Sequence, residues 1–447
     1  MLKKKLIVCL CSIAGVVYCG SAQEVWTLEE CIRYAYDNNI ELKQQQLLVH
    51  QSENNLLQSK LSILPNLNAS ASYNSSRGKV LDQNTFEIVT GQTVNSFSGS
   101  ISSSMSLFRG LQQKNTIGRN LYSLLANIEN VEKLKNDLSI NIALFYLQIV
   151  HAQEQLTVFE NQLNLTMLQV NRTSALVDAG SVPEGDLFEI QSQAARDELQ
   201  IVTARNTLDI SRLNLAQLLD LETRTNFQIV IPDFSNFEIS DLISSVDDVF
   251  ATAETILPQL KAAEYSMKSA EKQLAFTRGY RSPTLSLQGG YNTRYSSSAR
   301  HPVDDVYPFW DQVKDGVNSY IGLQMSIPIF NNWQINTSVK NAKLDVQNYQ
   351  LQFQLTKNKL YKEIQQAYAE TAASLKQYIA ATRAVASMEE AFRYTEQRYE
   401  VGLMNFVDYS SAKTRLESAQ SDVLQAKFEY IFKTKVLDFY NGREITL

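Results

Sequence analysis

The sequence predicts a mainly α chain with transmembrane β. Long helical hairpins pack as coiled coils and join four β-strands that must share a barrel with other copies. Three observations carry this prediction. The segment from Gly180 to Asp186 returns as Gly402 to Asp408, each time between long amphipathic runs, which marks an internal two-fold repeat. Two pairs of segments alternate apolar and small polar residues with a period of two. Two further stretches keep a helical apolar stripe far longer than a globular domain accommodates.

Other landmarks fix the repeat: Leu64-Pro65-Asn66-Leu67 answers to Ser282-Pro283-Thr284-Leu285, and Leu107-Phe108 to Ile329-Phe330. A period of about 220 residues lies far beyond that of a solenoid unit, so each copy is a domain-sized half. The expected organisation is a leader at 1–22 and a first repeat at 23–222, with a helix, a β-hairpin at 66–108, a long helix at 110–178 and a helix at 184–221. A linker follows at 223–245. The second repeat, 246–441, has a helix, a β-hairpin at 284–330, a long helix at 331–401 and a helix at 405–440, before a tail at 442–447.

Met1-Leu2-Lys3-Lys4-Lys5 leads into an apolar run over 6–18 and then Gly20-Ser21-Ala22, the pattern of an export signal cleaved before Gln23. Cys19 offers a lipidated N-terminus as the alternative. Cleavage leaves Cys31 as the sole cysteine, expected to be a helix-core thiol without an intramolecular disulfide. The formal net charge of −6 becomes more negative once Lys3, Lys4 and Lys5 leave, which argues against a nucleic-acid partner. No later stretch is apolar for the ~18 residues of a spanning helix, since even 140–150 is broken by Asn141 and Gln148. If the chain spans a membrane, strands must do it.

Each half opens with a helix, at 28–64 and 246–281, and then come the strands. Leu67, Ala69, Ala71 and Tyr73 alternate with Asn68, Ser70 and Ser72; Phe97, Gly99, Ile101, Met105 and Leu107 alternate with serines at 96, 98, 100, 102, 104 and 106. In the second half Leu285, Leu287, Tyr291 and Tyr295 alternate with Ser286, Gln288, Asn292 and Arg294, and Ile321, Leu323, Met325, Ile327 and Ile329 with Gly322, Gln324 and Ser326. An aromatic-bearing apolar face opposite a small polar face suits a wall with lipid outside and water inside. Four strands cannot close alone, because an open edge in lipid leaves backbone groups unsatisfied. Eight would be filled by their own side chains, so a water-filled pore calls for three copies or more, and three would supply twelve strands. The connecting segments 75–94 and 296–317 read as exposed loops.

After Phe108 the stripe Leu121, Leu125, Ile128, Leu134, Leu138, Ile142, Phe145, Ile149, Leu156, Phe159, Leu163 and Val170 meets no proline before Pro183. A helix of about 70 residues is about 100 Å long, and only lengthwise packing on other helices stabilises it. The second half repeats this from Trp333 to Val401, with shorter helices at 184–221 and 406–440 as packing partners. The aromatic-rich segment 223–240 reads as a small strand-bearing patch midway along the helices.

Duplicated halves, Leu-Pro-x-Leu ahead of an alternating segment, Arg398-Tyr399-Glu400-Val401-Gly402-Leu403 before Asp408, and Gly180 before Asp186 together resemble the TolC family of outer-membrane efflux proteins. The resemblance covers essentially the whole mature chain. It implies a homotrimer with a shared twelve-stranded barrel in outer-membrane lipid and a helical tunnel through the periplasm. It also implies end-to-end engagement with an inner-membrane pump through a periplasmic adaptor. By the same resemblance the turns form a gate: Tyr399 hydrogen-bonds Asp186 to latch the closed state, and Asp408 lines the constriction and favours cations. Met404 stands where the family has a latch arginine and Ser411 where it has a second constriction aspartate, which implies a looser gate and weaker charge selectivity. The turn residues Ala179, Gly180, Val401, Gly402 and Leu403 are the implied adaptor-docking surface. From the residues alone, the glycines are left-handed helix terminators, and Asp186 and Asp408 complement the dipole of the next helix, with Asn405 and Asp408 as a capping pair.

No catalytic constellation emerges. His50, His151 and His301 lie far apart with no ligand spacing to Cys31, so no metal is expected. Ser410-Ser411-Ala412-Lys413 contains Ser-x-x-Lys without the Ser-Asp-Asn and Lys-Thr-Gly partners of an acyl-transfer site. No phosphate-binding glycine loop occurs, so no cofactor is expected and energy must come from a partner. The sequence therefore points to a passive exit duct for small molecules or polypeptides rather than an enzyme. The alternative is a non-conducting coiled-coil scaffold of the envelope.

Overall fold

The computed structural model describes residues 25–81, 86, 88–221, 227–232, 234, 245–300 and 307–446. The expected leader with Cys19, most of the expected linker, and the loop residues Asp82, Asn84, His301, Pro302, Asp304 and Asp305 lie outside the described residues.

The first half runs β1 (Val25–Trp26), α1 (Leu28–Asn38), α2 (Ile40–Leu61), β2 (Asn68–Leu81), β3 (Ile88–Arg109), α3 (Gln112–Asp178) and α4 (Glu184–Leu218). The second runs β4 (Gln228–Ile229), α5 (Val246–Ile256), α6 (Pro258–Arg278), β5 (Thr284–Ser296), α7 (Phe309–Asp315), β6 (Asn318–Ser326), α8 (Gln334–Glu400) and α9 (Phe406–Tyr440). No helix among the described residues is long and apolar enough to cross a membrane.

The opening helix of each half is not continuous. In the second half Leu257 is extended, with ψ 128°, because the ring of Pro258 disfavours a helical residue before it. The first half breaks at Asn39 without a proline. There the Asn39 side chain caps Leu42 N at 3.0 Å and donates to Leu218 O at 3.3 Å, while Ile40 N donates to Asp220 Oδ2 at 3.2 Å. Contacts with the end of α4 replace the missing intrahelical bonds.

Strands β2, β3, β5 and β6 form one antiparallel sheet in that order. The register sets serine against serine: Ser70 and Ser100, and Ser72 and Ser98, join hydroxyls at 2.7 Å. Ile101 faces Tyr291 and Leu287 faces Leu323 on the other side. β2 and β6 are the two edges. β6 stops at Ser326, short of the expected 330, where Pro328 has no donor to offer a ladder. The segments expected to be loops are more ordered than that. β2 and β3 extend into the first, and the second contains α7 folded onto the apolar face of the sheet. Phe309 packs edge-on against Phe97 and Tyr295, and buried Gln312 bonds to both the N–H and the carbonyl of Ser296.

The main core lies midway along the helices. Leu138, Ile142, Tyr146 and Ile149 of α3 pack with Leu208 and Leu215 of α4 and with Leu28, Cys31 and Ala35 of α1. Beside it the parallel pair β1–β4 is tied down by the Tyr146 hydroxyl, which donates to the carbonyls of Trp26 and Val230. A second cluster joins Val249, Ala253, Leu257 and Leu260 to Leu360 and Ile364 of α8. Cys31 is fully buried, and burial pushes its thiol up to about 12, so it stays a neutral packing group.

Candidate functional site at the helical tips

α3 and α8 end in the same way. Gly180 has φ 70° and Gly402 φ 75°, a conformation that costs glycine little. Around them Ser181 N bonds to Leu176 O and Gly180 N to Val177 O, as Leu403 N does to Arg398 O and Gly402 N to Tyr399 O. Both turns are therefore Schellman caps that reverse the chain into a second helix. Ala179, Gly180, Val401, Gly402 and Leu403 are all exposed at the tips, with Val401 at 69% and Leu403 at 70%.

The next helices start there. Asn405 caps α9 by accepting from Asp408 N at 2.8 Å, which leaves the Asp408 carboxylate exposed in the first turn. Asp186 is half-buried in the first turn of α4, and Ser411 lines a groove between α4 and α9 with Phe188, Arg196 and Val407.

Tyr399 sits in an aromatic cluster, stacked on Tyr409 at 4.5 Å and edge-on to Phe406, above buried Ile190. The Thr173 side chain of α3 and the Asp186 carboxylate both act on its hydroxyl. Asp186 acts on it through charge. Burial first, and then that charge, push the Tyr399 phenol above the ordinary range, against the opposing effect of Thr173. The neighbouring pair reinforces the crossing, since Arg172 Nη1 lies 2.9 Å from Glu400 Oε1. The two halves are thus tied at the tip by Arg172–Glu400 and by the packing of the aromatic cluster on Ile190.

Higher up lies a feature that sequence reasoning missed. The Lys413 ammonium is buried between three helices and donates to the Thr166 hydroxyl of α3, which in turn donates to Asp197 of α4. Asp197 is 1% exposed and also accepts from Gln193 Nε2 at 2.8 Å. Glu417, one turn along α9, is the third charged member, 3.7 Å from Lys413 Nζ. The Ser-x-x-Lys spacing is absorbed here, because Ser410 Oγ bonds to Gln193 at 3.4 Å. A lone lysine among polar residues gave no local signal of burial.

With this geometry in view, comparison with known proteins is decisive: the family model described as "Outer membrane efflux protein" matches residues 31–220 and 253–434. The chain belongs to that family. Its two matched segments are the two halves of the repeat. Among relatives, it is 24% identical to the outer membrane protein TolC of Escherichia coli K12 over 374 residues, covering 83% of this chain and 72% of TolC. It is 22% identical to the outer membrane efflux protein BepC of Brucella suis over 446 residues, covering 98% of this chain and 90% of BepC. Among solved structures, CusC superimposes with a TM-score of 0.78 at 18% identity over 96% of each chain. The fold is that of an outer-membrane efflux channel. Its sheet belongs in the outer membrane and its helices in the periplasm.

Proposed function

We propose that three copies of this chain close one barrel and one helical tunnel, forming the exit duct of a tripartite efflux or secretion assembly gated at the helical tips. The sheet with two open edges carries this reading. Its outward residues Ile321, Leu323 and Met325 are 80%, 66% and 63% exposed, while the opposite face is serine. A wall of this kind is stable in lipid only when neighbouring copies pair its edges.

In this reading Asp186, Tyr399, Asp408 and Ser411 form the gate, and the exposed tips Ala179, Gly180, Val401, Gly402 and Leu403 receive a periplasmic adaptor that links the duct to an inner-membrane pump. The chain itself does no chemistry on its cargo. Met404 and Ser411 leave the constriction with fewer ionic contacts.

Two measurements test the proposal. Purified trimer in planar bilayers is expected to give long-lived conductance, and silence from a correctly folded trimer refutes the duct. A Cβ added at Gly402 meets nothing within 4 Å, and the left-handed φ of 75° costs a side chain only about 1 to 2 kcal/mol, so Gly402→Trp is expected to preserve the trimer while abolishing adaptor cross-linking and export. Export that survives refutes the docking assignment.

A further inference from the structure

We infer that Lys413 is a positioning residue of the gate whose two carboxylates act in opposite directions: Asp197 holds α9 closed against α3 and α4, and Glu417 favours its release. This inference rests on the gate reading above.

The geometry separates the two carboxylates. Asp197 stands on α4, across the helix gap from Lys413, and its oxygens are satisfied by Thr166 and Gln193. Its Oδ2 lies 3.7 Å from Lys413 Nζ. This contact, together with the bond from Lys413 to Thr166, exists only while α9 lies against the other two helices. Lys413 is seven residues into α9, about 10 Å along the axis from its start. The cluster therefore sits directly above the segment that a gate must move.

Glu417 stands on the same helix as Lys413 and travels with it. Its Oε1 is buried and has no hydrogen-bond partner, because 3.7 Å to the ammonium is too long for one. Arg196, next to Asp197 on α4, bonds to Gln193 and Ser192 and to neither carboxylate. The buried cluster thus holds two carboxylates against one ammonium. Burial holds the Glu417 carboxyl above the ordinary range, with Lys413 opposing and Asp197 adding to the rise. Burying an ion without full hydrogen bonding costs free energy that hydration returns. Moving α9 away from α4 breaks the Asp197 contact, keeps Lys413 beside Glu417, and hydrates Glu417. Asp197 therefore weighs on the closed side and Glu417 on the open side.

The isosteric variants Asp197→Asn and Glu417→Gln, recorded as single channels in planar bilayers, test this. Asp197→Asn is expected to raise the open probability by about tenfold, the scale of one hydrogen bond to a charged group. Glu417→Gln is expected to lower it several-fold. Hydrogen exchange over the tip of α9 gives an independent readout, faster in the first variant and slower in the second. A cluster that only braces the helices would shift both variants the same way, and that result, or no shift in either, overturns the inference. Tyr399→Phe serves as the reference. If it alters conductance while the cluster variants do not, only this inference fails. If it too changes nothing, the gate reading fails with it.

Discussion

α3 and α8 are each 67 residues long, yet within one chain α3 buries sixteen of its residues and α8 seven. The difference is not spread evenly. Near the middle the two halves match: Leu138 and Leu360, Ile142 and Ile364, Ile149 and Thr371, and Ala152 and Ser374 occupy equivalent positions, and all are buried. Below that level they part. α3 still buries Leu156, Thr166 and Thr173, whereas α8 buries nothing between Ser374 and its end at Glu400. The duplicated sequence thus builds a symmetric waist and an asymmetric stem. The first hairpin is anchored along its length by its own chain. The second is held near its tip by the aromatic cluster of Tyr399, Phe406 and Tyr409, by the Lys413 cluster and by single polar ties to α3. In the proposed gate this difference favours the second hairpin as the moving part.

The largest effect that tests this division is expected where each long helix leaves the sheet. Both halves turn through consecutive left-handed residues, Gly110-Leu111 and Asn332-Trp333. A Cβ on Gly110 would lie 2.5 Å from the Gly279 carbonyl oxygen and 2.6 Å from Ser282 Cβ. Asn332 already carries a side chain at φ 52°. Gly110→Ala is therefore expected to eliminate the proposed trimer on gels, while Asn332→Gly shifts stability by less than about 1 kcal/mol. Equal tolerance at both sites would show that the first half is no more rigidly jointed than the second.

The matched waist gives the next effect. Ile142→Ala and Ile364→Ala each empty a fully buried site and are expected to cost about 2 to 5 kcal/mol apiece, read as the lifetime of the trimer at raised temperature. Similar losses support a symmetric waist. A loss at Ile142 alone would place the asymmetry higher than the burial pattern does.

What was legible in the sequence was local. Serine alternation over 96–106 announced a two-faced strand, and Gly180 and Gly402 announced the turns, because each signal needs only neighbours in the chain. Pro258 marks the break between α5 and α6 locally, yet the expected helix over 246–281 runs through it, whereas the break at Asn39 arises from contacts with Leu218 and Asp220 and has no local mark. The Lys413 cluster was illegible for the same reason: Thr166, Asp197 and Lys413 meet only because three helices converge, and each alone resembles a solvated surface residue. The family resemblance singled out Tyr399 and Asp186, whereas Thr173 of α3, which also acts on that phenol, carries no mark in the sequence.

The smallest expected effect concerns the ion pair at the tip. Arg172 and Glu400 lie 2.9 Å apart with side chains 49% and 45% exposed, so water and salt screen their attraction and ordering two long side chains offsets part of it. A double-mutant cycle with Arg172→Ala and Glu400→Ala is expected to give a coupling of no more than about 1 kcal/mol, diminishing as ionic strength rises. The pair then biases the position of the second hairpin without fixing it, as suits an element that moves in the proposed gate. A coupling several times larger and insensitive to salt would mean that the pair is buried in the assembled protein. The tip of α8 would then be as firmly held as that of α3, and the asymmetry between the hairpins would belong to the single chain alone.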